Sequence, residues 1–363
     1  METLGSLDNV WLANQLITNN DQDLFFLLAI FLAGAAIVWA LTRMVLIYAE
    51  SRSLIDIPND RSSHDIPTPR GGGLAMVIFF LGAIIAFYGF SLLRTDAFMA
   101  LFGGCVLVAG IGFWDDHGHV AARWRLLVHF IAAFWSLAWI GGIPVFSLGN
   151  IEMNLGIFGY PIGALFLVWL LNLFNFMDGI DAIAGSEALF ISLAAVLLCL
   201  ISPPLPGPDA DVRILIVLAA GCLGFLLWNW PPAKIFMGDA GSGFLGFILG
   251  LMALITARKE ILTIWCWLIL FGVFIADASV TLLRRAVRGE RWYEAHCSHA
   301  YQHASRRFQS HRTVTLAVAA INILWLFPLA LAARMWPASG FFLSCLALWP
   351  LIILAFRFDA GMV

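Results

Sequence analysis

The sequence has few charged residues for its length. Asp, Glu, Lys and Arg make up 12% of the 363 residues, against about 25% in an average soluble protein. The formal net charge of −3 is too close to zero to indicate a protein that binds nucleic acid through its phosphates. The scarcity of charge therefore argues against a soluble domain and against a nucleic-acid partner.

The sequence also has no cysteine motif, and we expect neither a cleavable leader nor a soluble domain of any size. Five of the six cysteines lie inside apolar stretches, without a CxxC motif, which is typical of small buried side chains. The first residues are polar and mildly acidic, and they lack the basic region of a secretory signal. The longest polar stretch, 284–311, has room only for a loop with a short amphipathic helix.

What the sequence does contain is apolar residues. They make up 61% of the chain, and the mean hydropathy is +0.90. A helical membrane span needs about 17–25 apolar residues. Eleven segments qualify, at 24–48, 73–93, 97–114, 124–142, 160–177, 184–201, 212–230, 241–257, 261–283, 312–333 and 340–357. We therefore predict an all-α polytopic membrane bundle, a single domain over residues 1–363, with eleven spans, or ten if 258–260 does not separate two of them.

The basic residues predict an orientation for this bundle. With the N-terminus outside, about three quarters of the 20 Lys and Arg residues fall on the inner side, as the positive-inside rule requires. The same alternation places every polar motif described below on the cytoplasmic side of the membrane.

Two acidic motifs lie at span ends. Asp115 and Asp116 in WDDHG are adjacent, and neighbouring carboxylates ionise together only beside a cation, so they indicate a bound metal or a raised pKa. In NFNFMDGID, Asn172, Asn175, Asp178 and Asp181 recur every three residues and would share one helix face towards a partner or a wet cavity. The structural alternative for Asp115 and Asp116 is an ordinary cap at the membrane interface. The structural alternative for NFNFMDGID is a polar contact between two helices.

Two further motifs favour an anion site. In KIFMGDAGSG, Asp239 and Ser242 lie where a span begins and Lys234 precedes them. A helix N-terminus attracts phosphate, although capping alone would also explain Asp239. In PTPRGGG, Arg70 and Gly72 place a guanidinium beside backbone N–H groups that we expect to be accessible to a phosphate; a simple turn is the alternative.

The polar loop carries histidines at helical spacing, in the sequence RGERWYEAHCSHAYQH. His296, His299 and His303 would form one stripe if this segment were helical. A zinc site lacks a convincing fourth ligand. Arg291 and the other flanking arginines favour an anionic substrate over zinc, with a solvated face as the remaining alternative.

Together these residues indicate a reaction class. Asp oxygens suit Mg²⁺ or Mn²⁺, which bridge carboxylates to substrate phosphates. A soluble phosphate donor that meets a lipid acceptor at this depth gives phosphoryl transfer. A transporter, which holds its ionisable groups near the bilayer midplane and often has repeated halves, is the competing class. The acids here are at span ends and no repeat is evident.

The motifs PTPRGGG, WDD, NFNFMDGID, AKIFMGDAGS and AHCSHAYQH, in this order, resemble the polyprenyl-phosphate N-acetylhexosamine-1-phosphate transferase family. The resemblance covers about residues 59–303. The HxxH form at His296 and His299 is similar to the O-antigen-initiating branch, whereas the peptidoglycan branch, which transfers phospho-MurNAc-pentapeptide, typically has consecutive histidines. Ala182 and Cys297 depart from the glycine and arginine expected there.

The resemblance implies transfer of an amino-sugar 1-phosphate from a UDP-N-acetyl-amino sugar to undecaprenyl phosphate, with Mg²⁺ or Mn²⁺, at the bacterial inner membrane. It implies release of UMP and the start of O-antigen, lipopolysaccharide or related envelope glycan synthesis. Direct attack and a covalent aspartyl intermediate both agree with it, as do a monomer and a homodimer. The implied catalytic residues are Asp115, Asp116, Asp178, Asp181, His296 and His299; the metal ligands are Asp239 and Asp115; the substrate-binding residues are Arg70, Gly72, Asn172, Asn175, Lys234, Ser242 and Arg291.

Overall fold

The structure is a computed structural model that describes residues 4–58, 63, 66–148, 151–201, 210–290 and 296–362, with side chains from residue 24 onward. The chain is helical, as predicted. The helices are α1 Leu4–Ser51, α2 Leu74–Gly89, α3 Thr95–His117, α4 Ala122–Ile140, α5 Gly159–Met177, α6 Ile183–Leu200, α7 Ala210–Asn229, α8 Asp239–Arg258, α9 Ile264–Leu270, α10 Gly272–Val287, α11 Ala300–Phe308, α12 His311–Ile321, α13 Phe327–Met335 and α14 Gly340–Arg357.

Two short strand pairs, a π-helical turn and two 3₁₀ turns complete the described part of the fold. Two antiparallel hairpins pair β1 Ile55–Asp56 with β2 Thr68–Pro69 and β3 Phe146–Leu148 with β4 Ile151–Met153. A π-helical turn, Asn322–Leu326, joins α12 to α13, so that these three pieces form one long helix. Single 3₁₀ turns at Gly156–Phe158 and Pro337–Ser339 precede α5 and α14.

The described helices include eight that are long and apolar enough to cross a membrane, or nine if α9 and α10, which meet at 74°, form one broken span. The predicted count of eleven is therefore too high by this measure. Each predicted segment is helical, but α2 has only 16 residues. In α4, the first two turns carry Arg123, Arg125 and His129, which lower its hydropathy.

Helix α8 forms the centre of the bundle. Its membrane-span window is 94% buried, against 22% for α1 and 28% for the α12–α13 span and for α14. Glycines allow neighbouring backbones to approach it closely. A Cβ on Gly246 would meet the backbone of Leu170 in α5, and one on Gly112 in α3 would lie 2.6 Å from the Ala240 nitrogen. The N-terminus of α8 is thereby fixed against α3 and α5, where the polar motifs lie.

Candidate functional site

The polar motifs meet at one end of the bundle, as predicted. Arg125 joins Asp115, in the last turn of α3, to Asp239, the first residue of α8. The Tyr301 hydroxyl, beside the histidine loop, donates to the Phe176 carbonyl just before Asp178 (3.0 Å). The site therefore lies between the ends of α3, α5 and α8 and the segment before α11.

Arg125, which the sequence argument did not select, holds two carboxylates together. Its Nη1 atom lies 2.5 Å from Asp115 Oδ2 and 2.7 Å from Asp239 Oδ2. The other Asp115 oxygen accepts the Val120 N–H (2.8 Å). The pair of aspartates is thus compensated by a cation of the protein itself. The signal available in the sequence was a basic residue in the first turn of the helix that follows WDD.

Asp116 caps α8 from outside that helix. Its two oxygens accept the backbone N–H groups of Asp239 (3.0 Å) and Ala240 (3.2 Å). Arg70 donates to the Asp116 carbonyl (2.9 Å). Asp116 is only 4% exposed. Gly238 is required here, because it has φ +78° and its Cβ would lie 2.8 Å from the Asp116 oxygens. Both carboxylate oxygens of Asp116 are therefore used to hold the end of α3 against the start of α8.

The expectation of accessible glycine N–H groups in PTPRGGG is wrong for two of the three. Gly72 donates to the Phe236 carbonyl (2.9 Å) and Gly73 to the Met237 carbonyl (2.8 Å). A Cβ on Gly73 would collide with the Gly241 Cα. The glycines bring the two loops into contact. Ser242 is used in the same way, since its hydroxyl donates to the Gly238 carbonyl (3.2 Å) and it is 2% exposed.

Asp178 follows α5 and completes an acidic cluster with Asp115, Asp116 and Asp239. Burial, and then the negative charges of Asp239, Asp116 and Asp181, raise the pKa of Asp178 well above its usual range. Asp178 is thus a buried carboxyl beside other carboxylates, an environment that disfavours its charged form.

Asp181 has a different environment from that of Asp178. Its carboxylate accepts the Ala233 N–H (3.1 Å) and lies 3.2 Å from His311 Nδ1, while its carbonyl accepts the Thr315 hydroxyl (3.0 Å). These contacts tie the DGID turn to α12 and to the segment after α7. The sequence argument missed His311, since a lone histidine at a span end gives little signal.

An apolar groove of about 580 Å³ leads to Asp239. Side chains of α4 and α5 form its walls, including Leu126, Phe130, Leu165 and Trp169. Asn172 and Asn175 also line it, although Asn172 donates to its own helix at Val168 (2.7 Å). The predicted face of four residues is wrong for Asp178 and Asp181, because α5 ends at Met177 and both aspartates lie beyond it.

His129 lines the same groove and is 8% exposed. Its Nδ1 atom is buried, and no hydrogen-bond partner is recorded for it among the described residues. Because an unsatisfied buried polar atom costs about 1–3 kcal/mol, His129 suits a groove that binds a ligand with a polar end.

The HxxH loop, residues 296–299, is not helical, so the expected stripe of three histidines does not form. The His296 and His299 rings stack at 4.9 Å, but His303 lies inside α11 and contacts the Met362 carbonyl (3.2 Å). Burial, and then the neighbouring His299 and Arg285, lower the pKa of His296 to about 4. His296 is thus neutral at physiological pH without a ligand.

Asp277 of α10 underlies the HxxH loop. Its carboxylate lies 3.1 Å from His299 Nδ1 and accepts the N–H groups of Ala300 and Tyr301 (3.0 and 2.9 Å). The sequence argument missed Asp277, although a lone aspartate inside an apolar segment is itself a sign of function.

The C-terminal segment, residues 358–362, packs beside this loop. Gly361 donates its N–H to the Ser298 carbonyl (2.7 Å), and Arg284 and Arg288 donate to the carbonyls of Ala360 (2.7 Å) and Gly361 (2.8 Å). Three of the loop's basic neighbours therefore hold protein backbone or carboxylates, since Arg285 pairs with Glu290 at 3.0 Å. Arg291 lies outside the described residues.

The role of Lys234 stays a prediction. Its side chain is exposed, and its Nζ lies 5.2 Å from the centre of the Trp228 ring.

The acidic cluster offers the right donor atoms for Mg²⁺ or Mn²⁺, namely carboxylate oxygens. Among the described residues, however, no three His, Cys, Asp or Glu side chains are arranged as a ready-made ligand set. Arg125 holds two of the candidates. The donor set fits a divalent cation in type and charge.

Comparison with known proteins identifies the family of this chain. The family profile described as glycosyl transferase family 4 matches residues 97–257, which include Asp115, Asp116, Asp178, Asp181 and Asp239. A probable undecaprenyl-phosphate N-acetylglucosaminyl 1-phosphate transferase of Bacillus subtilis is 26% identical over 92% of this chain and 91% of its own.

Two further relatives represent different branches. A phospho-N-acetylmuramoyl-pentapeptide-transferase of Leptospira biflexa is 31% identical over 60% of this chain and 67% of its own. A decaprenyl-phosphate N-acetylglucosaminephosphotransferase of Mycobacterium tuberculosis is 28% identical over 79% of this chain and 78% of its own.

The fold and the site thus define a membrane-embedded phosphotransferase, and the prediction that the chain is an enzyme of this class is confirmed. More particularly, the chain belongs to glycosyl transferase family 4, within the superfamily of polyprenyl-phosphate sugar-phosphate transferases that its motifs indicated.

Proposed function

We propose that the protein transfers an N-acetyl-amino-sugar 1-phosphate from a UDP-sugar to undecaprenyl phosphate at the cytoplasmic face of a bacterial inner membrane. The observation that carries the proposal is the apolar groove that ends at Asp239. A polyprenyl chain would lie against Leu126, Phe130, Leu165 and Trp169, and its phosphate would reach the acidic cluster. His129 is buried, and its Nδ1 has no recorded partner within the described part of the chain; it would meet the polar end of this acceptor.

The reaction we propose is direct displacement. An oxygen of the lipid phosphate bonds to the phosphorus next to the sugar, the bond from that phosphorus to the bridging oxygen breaks, and UMP leaves with the electron pair. Asp116 is poorly placed as a nucleophile, because both of its oxygens accept N–H groups of α8. Such a transfer depends on positioning and on neutralisation of phosphate charge.

The protein supplies several of these charges itself. Arg125 lies between Asp115 and Asp239, and Arg70 lies against the Asp116 carbonyl. We propose that Asp239 and Asp115 hold a divalent cation when the donor binds. That cation would neutralise charge on the diphosphate, as Mg²⁺ commonly does between carboxylates and phosphates. His296, His299 and Arg291 would contact the donor's diphosphate or sugar, with Lys234 and Arg70 nearby.

We further propose that the product starts synthesis of O-antigen, lipopolysaccharide or a related envelope glycan. Support comes from the HxxH form of the loop and from the Bacillus and Mycobacterium relatives, whose names specify N-acetylglucosamine. The Leptospira relative, at 31% identity, favours phospho-MurNAc-pentapeptide transfer as the second candidate.

One assay separates these candidates. Purified protein in detergent receives undecaprenyl phosphate, Mg²⁺ and either UDP-GlcNAc, UDP-GalNAc or UDP-MurNAc-pentapeptide, each labelled in the sugar. We expect labelled lipid and an equal amount of UMP with an N-acetylhexosamine donor, and neither product with Asp239→Asn. Label transfer from UDP-MurNAc-pentapeptide alone would select the second candidate. No transfer from any donor would contradict the proposed function.

A further inference from the structure

Asp277 makes more hydrogen bonds than a structural cap requires. It is 5% exposed and accepts from the backbone N–H groups of Ala300 and Tyr301 and from the Thr281 hydroxyl (3.0 Å), in addition to its contact with His299. Four donors converge on this one carboxylate. Hydrogen bonds of this number favour the ionised form, so Asp277 acts as an acceptor in each of them.

This arrangement decides where His299 carries its proton. A carboxylate accepts but does not donate, so the 3.1 Å contact with Asp277 Oδ1 places a proton on Nδ1. In the neutral imidazole, Nε2 is then the nitrogen with a free lone pair. By accepting a hydrogen bond from Nδ1, Asp277 thus leaves Nε2 of the neutral ring as a hydrogen-bond acceptor.

The same carboxylate fixes where the ring lies. His299 is 2% exposed, and its ring stacks with those of His296 (4.9 Å), Tyr301 (5.7 Å) and Phe176 (6.2 Å). Since Asp277 also binds the first two N–H groups of α11, the ring and the backbone that carries it share one anchor. Phe176 lies two residues before Asp178, so this anchor sets the HxxH loop against the acidic cluster.

We propose that Asp277 is the positioning residue of the site: it holds His299 as the Nδ1-protonated tautomer and presents Nε2 to the donor substrate. This inference rests on the proposed function for the identity of the donor, but not for the tautomer. Outer-shell carboxylates that orient an imidazole typically change activity by about 10–100-fold when removed.

The kinetic test is a double-mutant cycle. We expect Asp277→Asn to lower kcat by about 10–100-fold with little change in KM for the UDP-sugar, and Asp277→Glu to recover part of the loss. Asp277→Asn combined with His299→Ala should match His299→Ala alone, because Asp277 acts through His299. Losses that multiply in the double variant, or wild-type kcat in Asp277→Asn, would overturn the proposal.

A matched control is Glu187→Gln. Glu187 is a fully buried carboxylate in α6 whose recorded hydrogen bond comes from Asn322 (2.5 Å); among the described residues no hydrogen bond is recorded between it and Asp277 or His299. We expect this variant to keep wild-type kcat. An equal loss in Glu187→Gln would mean that any buried carboxylate is required, which would also overturn the specific role of Asp277.

A second measurement does not depend on catalysis. With ¹⁵N-labelled histidine, the imidazole signals of His299 are assigned by their absence in His299→Gln. We expect the wild-type protein to show a protonated Nδ1 and an unprotonated Nε2, and Asp277→Asn to lose this preference. An Nε2-protonated wild-type ring would refute the proposal even if Asp277→Asn does not fold. If the wild-type protein transfers no sugar phosphate, the proposed function fails and this measurement alone decides the role of Asp277.

Discussion

At the scale of single residues, the main feature of the site is that one arginine pairs with two carboxylates. One guanidinium nitrogen of Arg125 binds both Asp115 and Asp239, while burial, and then the neighbouring carboxylates, raise the pKa of Asp178. The sequence identifies the aspartates by their place at span ends. It does not identify Arg125 as their partner, because Asp239 is distant in sequence and pairing across that distance depends on how α3, α4 and α8 pack.

We expect Arg125→Gln to lower the free energy of unfolding by about 1–3 kcal/mol, because two partly buried carboxylates lose their shared donor. Activity should fall at least about tenfold, and Arg125→Lys should recover part of both. Thermal unfolding and initial rates in detergent measure the two effects. Arg94→Gln is the control, since the ion pair recorded for Arg94 is with exposed Asp96 and such surface pairs contribute about 0–1 kcal/mol. Equal effects at both positions would contradict the role of Arg125.

Asp178 predicts an unusual pH dependence. Its pKa is raised in the folded protein relative to about 3.9 in the unfolded chain. The unfolded chain therefore loses the proton first as pH rises, and the folded state is destabilised as pH increases through the folded pKa. Asp178→Asn mimics the protonated form, so its gain in Tm over the wild-type protein should be larger at pH 8 than at pH 5. A Tm difference that is independent of pH would show that Asp178 titrates normally.

At the scale of elements, two of the predicted anion-binding loops turn out to bind each other. The residues of PTPRGGG and FMGD are the ones that the motifs single out, yet the N–H groups of Gly72 and Gly73 go to Phe236 and Met237. A glycine run in a sequence signals unusual backbone geometry. Whether the ligand of that backbone is a phosphate or another loop follows only from the tertiary arrangement.

Gly73→Ala tests this loop contact. Its Cβ would collide with the Gly241 backbone, so we expect it to separate the starts of α2 and α8, to destabilise the protein by about 1–3 kcal/mol and to lower activity. Gly82→Ala, in the middle of α2, is the matched control. Its Cβ meets nothing within 4 Å, so we expect it to be neutral or to stabilise by up to about 1 kcal/mol. Unfolding curves of both variants give the comparison.

The groove between α4 and α5 allows acceptor and donor binding to be separated. Replacing His129 by Leu removes a buried polar atom that has no recorded partner among the described residues, so folding stability should be unchanged or higher. We expect KM for undecaprenyl phosphate to rise roughly fivefold or more, as one hydrogen bond is worth about 1 kcal/mol, while KM for the UDP-sugar stays the same. A rise in KM for the UDP-sugar alone would assign His129 to the donor.

At the scale of the whole molecule, the positions of the helices follow from the sequence better than their number does. Apolar runs located every predicted span, because hydrophobicity alone decides which segments prefer lipid. The count fell to eight or nine, since α2 is short and α4 carries arginines at the end where the site lies. The sequence predicts one continuous span over 261–283, whereas α9 and α10 meet there at 74°. Neither Leu270 nor Phe271 is a residue type that indicates a bend.

The orientation is open to a direct test. We expect cysteines introduced at Asp65 to resist membrane-impermeant maleimide in intact cells and those at Asn150 and Gly207 to react, because the basic residues place the site inside. Permeabilised cells, in which all three should react, provide the control. Labelling of Asp65→Cys alone in intact cells would reverse the orientation.

The packing of residues 358–362 against the HxxH loop bears on how the protein is best handled. An affinity tag fused after Val363 would begin two residues beyond Met362, whose carbonyl contacts His303. A polyhistidine tag there would add imidazoles beside the site. Binding of that tag to nickel resin would also pull on the segment that Gly361 holds to Ser298 by a hydrogen bond. An N-terminal tag, placed ahead of α1, avoids that neighbourhood and is the better choice for purification of active protein.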